Sequence, residues 1–157
     1  MEFKELMKQF TEKCEVKGVT VEDNAVALEI DGVVFAFLHD PGSEVLTVVA
    51  DLGQQSMDAN GPFGAMMLQA NFLFEATRGA TLFQNPENKS FGLQQQYRLA
   101  HLDVDLLSAE VEKIANVADE WKEVLSGVRA AEEVIQTQKS EDAAASKLAS
   151  VGDFMRV

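Results

Sequence analysis

Residues 25–39 read AVALEIDGVVFAFLH. Two apolar, β-prone runs, Ala25–Ile30 and Val33–His39, flank the dipeptide Asp31-Gly32. A two-residue hairpin turn needs left-handed backbone at both of its central positions, which Asp-Gly supplies at little cost, so the runs are predicted to pair as antiparallel strands. Along the second run Phe35 and Phe37 alternate with Val34, Ala36 and Leu38. Side chains point to opposite faces of a strand in turn, so both faces are apolar here and each calls for a cover.

The elements on either side follow from the same kind of pattern. Asp40-Pro41-Gly42-Ser43 is a turn sequence leading to a third run, Glu44–Asp51, which completes a three-stranded meander. Upstream, Phe3, Leu6, Met7, Phe10 and Cys14 recur at helical spacing between charged residues, and Gly18 is the expected stop. Downstream, a polar loop, Gly53–Gly61, runs into Pro62, and a second helix is predicted over Phe63–Arg78, with proline at its start and Gly79 past its end. Ala80–Gln84 and Ser90–Leu99 form a second hairpin through Asn85-Pro86-Glu87-Asn88. Its second strand alternates, with Gln95 as the polar intrusion on the apolar side. Asp103 is placed to cap a third helix, in which Leu107, Val111, Ile114, Ala118, Trp121 and Leu125 repeat at spacings of four and three. Gly127 marks the expected end or a bend. Beyond it, Ala130–Ile135 suits a further short helical segment, while Ser140–Ser150 has the composition of a tether.

The fold class implied is α+β: helix, three-stranded antiparallel meander, helix, two-stranded hairpin, helix, with the helices packed on one twisted antiparallel sheet. The domain expected spans 1–127, followed by a C-terminal extension, 128–157, that is partly helical or flexible.

Composition narrows the function. A net charge of −13 repels phosphate backbones and anionic lipid, which excludes nucleic acid as a natural partner. No run approaches the roughly 20 apolar residues of a bilayer span, and the N-terminus lacks a signal-peptide core, so membrane insertion is not expected and the place is the cytoplasm. Chemistry is hard to find. His39 and His101 have no second ligand at metal spacing, and neither a nucleophile elbow nor a phosphate-cradling glycine motif occurs. Cys14 sits in phase with a helix face and reads as a buried, inert thiol. Asp103 and Asp105 suit a helix N-terminus better than an acid/base pair. The loop residues Gln54, Gln55, Ser56 and Asp58 are the remaining candidates for an enzymatic site, and their composition is that of a polar connection. No catalytic residue, cofactor or metal is expected.

What remains is an excess of apolar surface. The chain has ten Phe and six Met, and on the second helix Phe63, Met66, Met67, Leu68, Phe72, Leu73 and Phe74 point all round the cylinder. Burying each large side chain contributes roughly 1.5–3 kcal/mol. A partner subunit is therefore predicted to cover this helix, against the alternative that the first and third helices enclose it.

The amphipathic first helix, the Asp-Gly hairpin, Ala70-Asn71-Phe72-Leu73-Phe74 followed by Arg78-Gly79-Ala80-Thr81-Leu82, the strand ending Tyr97-Arg98-Leu99, and the last helix with Trp121 together resemble the CesT/Tir-chaperone family over about residues 1–126. The resemblance implies an acidic cytoplasmic bacterial homodimer that performs no catalysis. It implies a role in virulence as a type III secretion chaperone, binding the N-terminal chaperone-binding region of an effector and keeping it secretion-competent. It also admits a secretion ATPase or export gate as a further partner. By position, the dimer interface falls on Phe63, Met66, Met67, Ala70, Phe72, Leu73 and Phe74. Cargo contact falls on the first helix and the sheet: Phe3, Leu6, Met7, Phe10, Val26, Leu28, Phe35 and Phe37. A regulatory protein that sequesters an anti-activator or adaptor on the same scaffold is the alternative. The tail after Gly127 is longer than the family domain needs, and Phe154, Met155 and Val157 form its candidate docking element.

Overall fold

The structure is a computed structural model that describes residues 2–16, 19, 21–54 and 62–154. The chain divides into two compact units, Met1–Lys122 and Glu123–Val157. The first begins with helix α1 (Phe3–Lys13). Strands β1 (Ala25–Ile30), β2 (Val33–Asp40) and β3 (Val45–Gln54) follow, then helix α2 (Pro62–Asn71), a 3-10 turn at Phe72–Phe74, and strands β4 (Thr81–Gln84) and β5 (Ser90–Arg98). Helix α3 (Val104–Phe154) supplies the end of the first unit and the described part of the second.

The Asp-Gly hairpin forms as its sequence requires. Asp31 and Gly32 both have positive φ, 51° and 78°, and β1 pairs β2 from Ala25↔Leu38 to Ile30↔Val33. The five strands form one antiparallel sheet in the order β1-β2-β3-β5-β4. The second hairpin thus joins the meander through β5 against β3, with α2 carrying the chain between them.

Residues opposite one another in register share a face, so the sheet has an inner and an outer side. The inner side presents Val26, Leu28, Phe35, Phe37, Leu46, Val48, Ala50, Leu82 and Leu93, all buried. Helix α1 covers its β1–β2 end: Phe10 lies 5.3 Å from Phe37, and Phe3 stacks on His39 at 5.2 Å. Within the first unit α3 adds Leu107, Val111, Ile114, Ala118 and Trp121 to the core, at the spacings of four and three seen in the sequence. Its start is capped as predicted, the Leu106 N–H donating to Asp103 Oδ1 at 2.8 Å. Helix α2 packs through Phe63, edge-on to Phe91 at 5.1 Å.

Two helix ends differ from expectation. The second helix stops at Asn71, not Arg78, because the chain must reverse into β4; Leu73 and Phe74 take left-handed backbone (φ 55° and 57°), and Gly79, at φ 97°, completes the reversal. The third helix does not end at Gly127 but continues to Phe154. A lone glycine in a helix costs only about 1 kcal/mol, and the Ala, Glu, Gln and Lys residues around and beyond it are strong helix formers. The predicted tether therefore lies within a helix. Gly18, the loop residues Gln55–Gly61 with Ser56 and Asp58, and Met155 and Val157 lie outside the described residues.

One close approach fixes a glycine in β5. On the outer face the Phe83 ring lies over Gly92, where a Cβ would fall 2.6 Å from Phe83 Cζ and 3.0 Å from the Ala50 carbonyl oxygen. Gly92→Ala is expected to displace the ring and cost about 1–3 kcal/mol in a urea titration. An unchanged midpoint would show that the ring moves freely.

Candidate functional interface

Among the described residues of the first unit, no helix covers Val34 and Leu38 on the outer face of the sheet. Val34 is 49% exposed and Leu38 46%, whereas their neighbours Phe35 and Phe37 are fully buried on the inner side. The period of two along β2 thus separates core from surface residue by residue. Ala27, Ala36 and Val49 extend the apolar strip across β1 and β3, and Gln94 and Gln96 end it on β5. Beside it, a cleft of about 520 Å³ runs along β1, lined by Val16, Val19, Ala27, Ala36 and Leu38 together with Glu22 and Glu29.

Strand β1 is an edge of the sheet. The His39 N–H donates to the Asn24 carbonyl at 2.8 Å, which fixes the phase of the ladder: Val26, Leu28 and Ile30 bond toward β2, and the backbone groups of Ala25, Ala27 and Glu29 point away from it. Of these, the Ala25 carbonyl accepts the Glu22 N–H at 3.1 Å. Among the described residues no strand pairs with Ala27 or Glu29 on that side. An apolar strip next to outward-pointing ladder groups has what an added strand requires.

A second apolar surface lies at the end of α2. Leu68 (75% exposed), Phe72 (74%) and Leu73 (69%) stand in solvent with Phe74 beside them. The turn that follows is anchored from behind: Trp121 donates its indole N–H to the Ala76 carbonyl at 3.2 Å, and Arg78 pairs with Glu120.

The residues assigned from the sequence fall into distinct environments. Phe3, Leu6, Met7, Phe10, Phe35 and Phe37 are core, and Val26 and Leu28 are buried while also bordering the cleft. In the α2 group, Phe63, Met67 and Ala70 are buried, Met66 is half-buried, and Phe72, Leu73 and Phe74 are exposed. The cargo residues assigned from the sequence on β2, Phe35 and Phe37, face the core, and the alternate residues Val34 and Leu38 are the exposed ones. The alternation that separates them was visible; which face the helices take was not.

Among the described residues no group of His, Cys, Asp and Glu is arranged to hold a metal ion, and no helix is long and apolar enough to cross a membrane. Burial pushes the Cys14 thiol up, away from the reactive thiolate. His39 Nε2 is buried, 3.8 Å from Glu44 Oε2, and has no hydrogen-bond partner among the described residues. One ionic group ties β5 to α3: the Tyr97 hydroxyl donates to Glu110 Oε2 at 2.7 Å, and Lys113 binds the same carboxylate. Burial and the Glu110 contact push the Tyr97 hydroxyl far above its usual range. Burial raises Glu110, but hydrogen bonds from Lys113 and Tyr97 outweigh it and hold the carboxyl below its ordinary value.

The signs give a pH prediction. A depressed carboxyl stabilises the fold above its unfolded value of 4.5, and that share is lost as pH falls through the lower folded value. A raised phenol stabilises the fold below its unfolded value of 10.0, and that share is lost as pH rises above it. Tyr97→Phe is expected to remove the alkaline loss in unfolding titrations and leave an acid loss. An alkaline limb unchanged in this variant would contradict the assignment.

The Tir chaperone protein (CesT) family matches residues 5–122, and the chain belongs to that family. It is thus a member of a chaperone class defined by this helix-backed five-stranded sheet. Solved structures share the fold. A chain of the HopA1–SchA chaperone–effector complex superposes with a TM-score of 0.62 at 20% identity, over 77% of this chain and 93% of that one. A chain of the ExsC–ExsE complex gives 0.62 at 18% identity, over 77% and 91%. A chain of the ExoT–SpcS complex of Pseudomonas aeruginosa gives 0.54 at 17% identity, over 73% and 92%. No curated protein sequence gives a significant match.

Proposed function

We propose that this chain is a type III secretion chaperone that works in the bacterial cytoplasm as a homodimer and holds the N-terminal segment of one or more effectors in an extended, secretion-competent form. The observation that carries this reading is the uncovered outer face of β2, Val34 and Leu38, beside the outward-pointing ladder groups of Ala27 and Glu29, in a member of the CesT family. The extended segment pairs with β1 and lays alternate side chains on the strip of Ala27, Ala36 and Leu38. Main-chain bonds give affinity with little sequence demand, which suits a chaperone that serves several cargoes.

The role is holding, not catalysis. Val26 and Leu28 form the wall of the cleft, and Phe3, Leu6, Met7, Phe10, Phe35 and Phe37 support the sheet from its inner side. Leu68, Phe72, Leu73 and Phe74 contribute the exposed part of the dimer interface, backed by Phe63, Met66, Met67 and Ala70. The HopA1–SchA chaperone–effector complex, one chain of which has the same fold, supports this reading over sequestration of a folded regulator. A secretion ATPase or export gate is a downstream partner in the same scheme.

Co-expression with proteins encoded beside this chain, followed by affinity capture and native mass measurement, tests the proposal. The expected product is one complex holding two copies of this chain and an effector captured through its N-terminal segment. Capture that survives deletion of that segment would point to the regulator reading, and absence of any captured partner would contradict the chaperone role.

A further inference from the structure

The sheet has two edges, and they are not alike. Strand β4 forms the edge opposite β1. In its pairing with β5, Leu82 stands opposite Leu93, and the backbone N–H and carbonyl of Leu82 face away from the sheet. Both are taken by one side chain: the Leu82 N–H donates to Asn71 Oδ1 at 2.9 Å, and Asn71 Nδ2 donates to the Leu82 carbonyl at 3.1 Å. A carboxamide offers one acceptor and one donor side by side, the pattern that a residue of a neighbouring strand would present. One residue earlier than β4, the Ala80 N–H is held by the Thr77 carbonyl at 3.1 Å. The edge is also only four residues long. A short edge whose central ladder groups are occupied is a poor template for another strand.

We infer that Asn71 is an edge plug: its carboxamide occupies the ladder position of β4, closes this end of the sheet to other chains, and confines strand addition to β1. The directional part of this inference rests on the strand-addition reading above, whereas the closure of β4 does not. The consequence is an upper limit, since a sheet with one open edge takes at most one extended segment per chain. It also gives the last residue of α2 a reason to be Asn, as the other short polar candidates lack the paired donor and acceptor. Aspartate has no N–H for the Leu82 carbonyl, and serine is too short to span both groups.

Closure is tested on the full chain without any cargo. Asn71→Ala is expected to remain folded by circular dichroism, to speed amide exchange at Leu82 by about tenfold relative to its neighbours at dilutions where it keeps the wild-type mass, and to sediment at higher concentration as species of at least twice that mass. Adding Thr81→Lys, a charge on the opened edge, is expected to return the mass to the wild-type value. Asn71→Asp, which keeps only the acceptor for Leu82, is the second variant if the alanine form unfolds, and partial association is its expected behaviour. A folded variant with wild-type mass would overturn the plug, as would association that the added lysine leaves unchanged. Neither result bears on cargo binding at β1, which the capture experiment tests separately.

Discussion

Leu38→Asp is expected to abolish effector capture while leaving stability within about 0.5 kcal/mol of wild type, and Phe37→Ala, one residue away, is expected to cost about 3–5 kcal/mol. The contrast follows from the alternation of β2. Phe37 is fully buried between the sheet and Phe10 of α1, so truncating it leaves a cavity that the packed neighbours fill only in part. Leu38 faces outward over the cleft, and a carboxylate there stays hydrated in the free chain. In a complex it would have to lose that water against an apolar partner with no ion to pair it, which is costly. Urea titration and affinity capture read the two effects separately. Capture retained by Leu38→Asp, or a stability loss like that of Phe37→Ala, would remove the outer face from the account.

The second large effect concerns assembly. Replacing Leu68 and Phe72 together by Glu is expected to convert the proposed dimer to a monomer, with the dissociation constant raised at least about a hundredfold and the unfolding midpoint little changed. Each large apolar side chain contributes roughly 1.5–3 kcal/mol on burial, and every 1.4 kcal/mol is a factor of ten in affinity. Both residues stand in solvent at the end of α2, so charge there disturbs no packing within the chain. The net charge of −13 already opposes association, so the added carboxylates act in the same direction. Sedimentation equilibrium across micromolar concentrations checks the result. A wild-type mass of one chain would contradict the dimer itself, and a double variant that remains a dimer would place the interface elsewhere.

Much of the fold was legible because local signals agreed with one another. Asp31-Gly32 set the hairpin, Asp103 set the start of α3, and the four-and-three spacing from Leu107 to Trp121 identified the buried stripe. The end of α2 was not legible, since Phe72-Leu73-Phe74 has good helical composition and leaves the helix only because β4 must be reached. That is a tertiary demand overriding a local preference. The continuation of α3 past Gly127 was misjudged for a related reason: weak hydrophobicity argued for a tether, whereas Ala, Glu, Lys and Gln argue for a helix whatever they pack against. Of the candidate site, the alternation along β2 was legible and the side taken by the helices was not. Val34 and Phe35 are both apolar, and only the side on which the helices pack decides that Phe35 is core and Val34 is surface. The Asn71 carboxamide gave no warning in sequence, because its partner Leu82 is eleven residues away and is met through its backbone.

Amide hydrogen exchange on this chain, free and bound to the effector captured with it, reads strand addition at β1 residue by residue. Addition of a strand at β1 predicts that Ala27 and Glu29, whose N–H groups point away from β2, become strongly protected in the complex while Leu82 stays as it was. Unchanged exchange at Ala27 and Glu29, with protection appearing on other elements instead, would contradict the account.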